Sequence, residues 1–252
     1  MAAADGAAWS LFDEPAGFRP PTPPPTDATH VTRRGGRVCV RLVGTHPLWG
    51  HYLWNAAPTL SNYLEDHASA YVLGKRILEL GAAAGLPSIV AATGGAHTVL
   101  ATDYPDPDLV GNIQHNLDAN ECSAARGGVA HAQGYIWGAD TGAVCAFSPA
   151  YDVILMSDLV FNHQAHGALL DTCDACLASD GTALVFFSHH RPHLADRDLA
   201  FFHLAEVRGY CATEIGAWRL KPMFPEDPGD AVVRATVHGW ALKQGGGDRR
   251  GK

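Results

Sequence analysis

Between residues 75 and 103 the chain passes through an apolar strand, a turn of very small residues, a short helix and a second strand that ends in a carboxylate. Lys75-Arg76-Ile77-Leu78-Glu79-Leu80-Gly81 has the aliphatic run of a strand inside a sheet. Gly81-Ala82-Ala83-Ala84-Gly85 then lets the backbone reverse tightly and bring its amides close to a ligand. Residues 86–93 supply a helix, and His97-Thr98-Val99-Leu100-Ala101-Thr102-Asp103 the next strand. Alternation of strands with crossover helices is the pattern of an open α/β sheet, which binds ligands at the carboxyl ends of its strands.

The same alternation continues. Leu109, Ile113 and Leu117 recur at helical spacing, with Asn112, Asn116 and Asn120 on neighbouring faces, and predict a helix over 107–120. Residues 151–158 read as a buried strand ending in Ser157-Asp158, residues 163–177 as a helix, and residues 181–188 as another strand. Two further strands are expected at 210–218 and 231–242, joined by the turn-rich 221–230. Pro20-Pro21-Thr22-Pro23-Pro24-Pro25 cannot enter a helix or an interior strand, and the glycine-rich end after 243 has tail composition. One folded domain over residues 31–243 is therefore expected, after an extension at 1–30 with a proline-rich linker and before a flexible tail at 244–252.

Charge and cysteine usage narrow the partners. Eighteen basic against 26 acidic residues give a net charge of −8, which argues against a nucleic-acid binder held by phosphates. No apolar run approaches the ~20 residues of a membrane helix. Residues 1–10 lack the basic start of a secretory signal. Six scattered cysteines suit a reduced, cytoplasmic protein. Cys173 and Cys176 lack a second ligand pair, and the histidines at 163, 166, 189, 190 and 193 read as surface or capping groups, so no metal is expected.

Asp103 stands where a carboxylate can accept both hydroxyl hydrogens of an adenosine ribose. Its bland alternative is a turn or helix cap before Pro105. Two cofactor classes fit: a nicotinamide dinucleotide, whose pyrophosphate needs a helix N-terminus, or S-adenosylmethionine, which has no phosphate. A short-chain dehydrogenase would need a Tyr-x-x-x-Lys pair downstream of the glycines, yet the match here, Tyr71 to Lys75, lies upstream.

Five separated motifs occur in order: Leu48-Trp49-Gly50-His51-Tyr52-Leu53-Trp54-Asn55, Ile77-Leu78-Glu79-Leu80-Gly81-Ala82-Ala83-Ala84-Gly85, Thr102-Asp103-Tyr104-Pro105, Tyr135-Ile136-Trp137-Gly138 and Ser157-Asp158-Leu159-Val160-Phe161-Asn162. Together they resemble the seven-strand, class I S-adenosylmethionine-dependent protein methyltransferases. More narrowly, they resemble the fungal family, long labelled nicotinamide N-methyltransferase-like, that methylates translation elongation factor 1-alpha at its N-terminal glycine and the adjacent lysine. The resemblance implies a Rossmann-like sheet with helices on both faces and a final antiparallel strand. Gly81, Ala82 and Ala83 would contact the methionine end of the cofactor, Asp103 the ribose, and Trp54, Trp137 and Ser157 the remainder. Ala83 departs from the middle glycine of many class I enzymes.

For the acceptor, Asp158, Phe161 and Asn162 are the candidates, carboxylate and amide to orient an amine and the ring to exclude water; Asp158 is also the candidate catalytic group. Their ordinary roles would be helix caps and core. The expected partner is elongation factor 1-alpha, met by a monomer. A nicotinamide-type small-molecule N-methyltransferase, a dehydrogenase and a silent elongation-factor-binding module are the alternatives. The acidic, aromatic segment 9–18 is expected to close over the acceptor site.

Overall fold

A computed structural model describes residues 23–245. The expected roles of segment 9–18 and of the glycine-rich end fall outside those residues.

The chain opens with a hairpin that sequence patterning did not single out. Strands β1 (Thr26–Val31) and β2 (Arg37–Leu42) pair antiparallel, from Thr26 opposite Leu42 to Val31 opposite Arg37. Val38, Val40 and Leu42 alternate inward at period two and enter the core. Ordered pairing thus begins ahead of the boundary at residue 31 that composition suggested, because the edge of β2 captures Thr26–Val31. Helices α1 (Ala56–Asp66) and α2 (Ala68–Tyr71) follow, and were likewise not foreseen.

The main sheet then begins: β3 (Arg76–Leu80), helix α3 (Leu86–Thr93), β4 (Thr98–Asp103), helix α4 (Pro107–Ala119), β5 (Ala130–Gly134), helix α5 (Gly142–Phe147), β6 (Tyr151–Ser157), helix α6 (His166–Cys176), β7 (Leu177–Ser188), helix α7 (Ala195–Val207), β8 (Tyr210–Arg219), helix α8 (Ala231–Ala235) and β9 (Thr236–Gln244). The seven strands lie in the order β5-β4-β3-β6-β7-β9-β8. Pairing is parallel from β5 to β7, and β9 runs antiparallel between β7 and β8. The final segment expected as one strand over 231–242 divides into α8 and β9. Asp230 caps that helix by accepting from the amides of Val232 and Val233.

Both faces of the sheet are covered, which explains the near-continuous apolar strands. Neighbours in a strand point opposite ways: Ile77, Val99, Leu155 and Phe186 join α1, α3, α4 and the hairpin in one core. Leu78, Leu100, Ile154 and Phe187 join α5, α6 and α7 in the other. Cys173 and Cys176 are buried with the second group, thiols facing no metal partner set among the described residues.

The asparagines of α4 tie the hairpin to this frame. Asn112 and Asn116 both donate to the carbonyl of Arg41, Asn116 accepts from the amide of Arg41, and Asn120 donates to the carbonyl of Cys39, each at 2.8 Å. Asn116 also donates to the carbonyl of Ala84 at 3.0 Å, joining the hairpin to the small-residue turn. No helix among the described residues is long and apolar enough to cross a membrane.

Candidate active site

The order β5-β4-β3-β6 places the reversal of strand order between β3 and β6, and the turn after β3 opens there, at the carboxyl ends of these parallel strands. Gly81 has φ +61°, a left-handed backbone that favours glycine, and a Cβ on it would lie 2.6 Å from Leu159 Cδ2 and 3.1 Å from Trp137 Cζ2, displacing those side chains. Ala83 takes φ +49° with a side chain present. Gly85 begins α3 from the left-handed region.

A cleft of about 460 Å³ lies over this turn. Trp54, Gly81, Ala82, Ala83, Asp103, Trp137, Ser157, Asp158, Phe161 and Asn162 all line it. Tyr71 and Lys75 do not; the Tyr71 ring instead stacks on Tyr63.

Asp103 is buried and each of its oxygens receives one backbone amide, Oδ2 from Ala83 and Oδ1 from Tyr104, both at 2.7 Å. It caps no helix; Asp106 caps α4 instead. Burial pushes its carboxyl upward, against the two amide hydrogen bonds. Each oxygen keeps a second lone pair for a diol.

Glu79 belongs to the cleft and was not anticipated as a site residue. It is the one acidic residue in β3, buried, and accepts from the amide of Ser88 at 3.0 Å and from its hydroxyl. Burial pushes its carboxyl up to about 8, more than the Ser88 hydrogen bonds lower it. A charged residue at a buried strand position was the available signal.

Asp158 follows β6 with φ +54°, uncommon for a residue with a side chain and tolerated best by Asp and Asn. Its Oδ1 accepts from the amide of Ser188 and pairs with His190 Nε2, both at 3.0 Å. Its Oδ2 is buried with no hydrogen-bond partner among the described residues. Neither Asp158 nor Asn162 supplies a helix cap; Asn162 precedes a short 3₁₀ turn without a side-chain cap bond.

A second cavity of about 350 Å³ adjoins the cleft through a common wall of Trp49, Trp54, Asp158 and Phe161. Phe224 and His190 complete an aromatic enclosure: the Trp54 ring lies 4.8 Å from His190 and 5.9 Å from Phe224, and Phe161 6.2 Å from His190. The loop carrying Phe224 is braced by the buried Arg234, which donates to the carbonyls of Phe224 and Asp227 at 2.6 Å, and by Asn55, which donates to the carbonyl of Lys221 at 2.8 Å. Of the histidines expected as surface or capping groups, His193 is exposed, whereas others are structural. His163 and His189 both pair with the buried Asp198 at 2.7 Å, and His166 is buried against Phe201.

The chemistry of the cleft wall selects among cofactors. Three acidic side chains line it, Asp103, Asp158 and Glu79, the last with its carboxyl held largely protonated near neutrality, and among the described residues neither lysine nor arginine does. That lining suits a cationic ligand with a ribose and opposes a pyrophosphate.

This sheet order, with its cleft over the glycine turn, is that of the Rossmann-like methyltransferases. Solved structures agree on the fold: a putative SAM-dependent methyltransferase from Streptococcus mutans superposes with a TM-score of 0.56 at 14% identity, over 90% of this chain and 57% of that one. The Thermus thermophilus 16S rRNA N2 G1207 methyltransferase, in complex with AdoMet and guanosine, gives 0.55 at 17% identity, over 89% and 52%. A family profile described as lysine methyltransferase matches residues 45–208, and the chain belongs to that family. Among its relatives, the protein N-terminal and lysine N-methyltransferase of Schizosaccharomyces pombe is 43% identical over 96% of this chain and 98% of its own. The protein of the same name from Eremothecium gossypii is 45% identical over 93% and 94%. The protein is thus an enzyme, a methyltransferase.

Proposed function

We propose that this enzyme transfers methyl groups from S-adenosylmethionine to the N-terminal glycine amine and the adjacent lysine of translation elongation factor 1-alpha, in the cytoplasm. The observation that carries an amine acceptor is Asp158: a buried carboxylate with one oxygen fixed and the other unpartnered, in the wall between cleft and aromatic enclosure. An unpaired buried acceptor of this kind is costly unless a donor arrives, and an amine is such a donor. The names of the 43–45% identical relatives support a protein N-terminus and a lysine as acceptors.

The cofactor, when bound, supplies an electrophilic methyl on a sulfonium. The rest belongs to the chain. Gly81, Ala82 and Ala83 offer a backbone face at which only small groups intervene. Asp103 has the spare lone pairs to hold the ribose diol, and Trp137 and Ser157 border the remainder. Asp158 and Asn162 orient the acceptor nitrogen, while Trp54, Phe161 and Phe224 strip it of water. Desolvation favours the neutral amine, which is the nucleophile. An α-amine near pKa 7.7–8.0 needs little help, and a lysine near 10.4 needs more. Its proton leaves to water.

The test is incubation of the full chain with labelled S-adenosylmethionine and elongation factor 1-alpha, with nicotinamide in a parallel reaction, followed by mass spectrometry of the protein. Label on the first two residues of the factor is expected. Asp158→Asn, which keeps a residue tolerant of positive φ, should lower transfer by at least ~100-fold while cofactor binding persists. Label on nicotinamide and none on the factor would reject the assignment.

A further inference from the structure

His190 has no role in the function above, yet it touches both Asp158 and the aromatic enclosure. Its Nε2 lies 3.0 Å from Asp158 Oδ1, its ring packs edge-on against Trp54 and Phe161, and it borders the second cavity. We propose that His190 is a positioning residue that sets the charge of the acceptor pocket: as neutral imidazole it holds Asp158 for a cationic amine, and as imidazolium it cancels that carboxylate and turns the amine away. The inference rests on the amine-pocket reading of Asp158.

The argument is one of competition for a single carboxylate. In either state the ring nitrogen can donate to Oδ1, and together with the amide of Ser188 this fixes the side chain so that Oδ2 remains available. The difference between the states is the positive charge. An imidazolium and an ammonium on the two oxygens of one carboxylate lie within the range where like charges strongly disfavour each other in a partly buried site.

The groups around the ring make the protonated state accessible near neutrality. Burial lowers its pKa, but the hydrogen bond and charge of Asp158, with the charge of Asp198, outweigh burial and the opposing Arg191, so the net direction is upward. Asp227 and Arg234 face the same cavity from the loop and helix α8, one of each sign. The free enzyme therefore carries a proton on His190 at mildly acid pH, and an entering ammonium expels it to water.

The probe is a short peptide with an acetylated N-terminal glycine followed by lysine, whose ammonium keeps N–H donors for Asp158 and stays charged throughout the range, so that any titration belongs to the enzyme. Binding to the full chain, saturated with S-adenosylhomocysteine, is followed by calorimetry from pH 6 to pH 8.5. For the unaltered protein the dissociation constant should be about tenfold larger at pH 6 than at pH 8, one pKa unit of coupling. For His190→Gln, which keeps a donor to Asp158 but cannot ionise, the constant should vary by less than about twofold over the same range. Retained binding of S-adenosylhomocysteine shows that the variant is folded, and His190→Asn takes its place if it is not. Equal pH dependence in the unaltered and His190→Gln proteins overturns the role of His190 while leaving the amine pocket standing. Absence of peptide binding at every pH overturns the pocket and the role together.

Discussion

Glu79 shows how much a single buried group can reveal. Its carboxyl titrates near 8 in the fold against an ordinary 4.5, because burial favours the neutral form. A raised acid means that the folded protein keeps a proton that the unfolded chain gives up. The stabilising contribution is therefore complete below about 4.5 and lost as pH climbs through about 8. The melting temperature of the cofactor-free protein should fall between pH 5 and pH 8, and Glu79→Gln should flatten that slope; scanning calorimetry across the range would show an unchanged slope if the assignment is wrong. At this scale the sequence was legible where chemistry is local. The small-residue turn and Asp103 stand apart by spacing alone, and all ten candidate residues converge on one cleft. Glu79 was visible as a charge inside an aliphatic strand but was passed over as part of the strand. His190 was hidden, because its partner lies 32 positions away and only the pairing of β6 with β7 brings the two together.

Strands and helices were readable in proportion to their periodicity. The crossover units from β3 to β4 and the long aliphatic β6 announced themselves, whereas β5, Ala130-His131-Ala132-Gln133-Gly134, has neither alternation nor β-branched residues and exists because β4 pairs with it. The β1–β2 hairpin did carry alternation at Val38, Val40 and Leu42, but the proline run before it drew the boundary too late. Among the described residues the hairpin is a separate two-stranded sheet, held to α4 by side-chain hydrogen bonds. Asn116→Ala would leave the amide of Arg41 without its bond to Asn116 and remove the link to Ala84. We expect a loss of about 1–3 kcal/mol in urea unfolding. Because Ala84 closes the small-residue turn, cofactor affinity should weaken with it; full stability and affinity in the variant would mean that the ladder is ornamental.

For the molecule as a whole, a net charge of −8 is expected to favour a basic protein partner. Long-range attraction of that kind accelerates encounter and is screened once the Debye length falls below ~10 Å. Raising salt from about 50 mM to about 500 mM should lower kcat/KM for the protein substrate several-fold, with a much smaller effect on a short neutral peptide. A salt-insensitive rate would remove electrostatic steering from the account. The wall of Trp49, Trp54, Asp158 and Phe161 has a consequence at this scale too. Two ligands that press on opposite sides of the same four side chains do not bind as strangers. Whatever the donor does to the acceptor's affinity, the acceptor must return to the donor in equal measure, so product release is governed by both occupants of the wall.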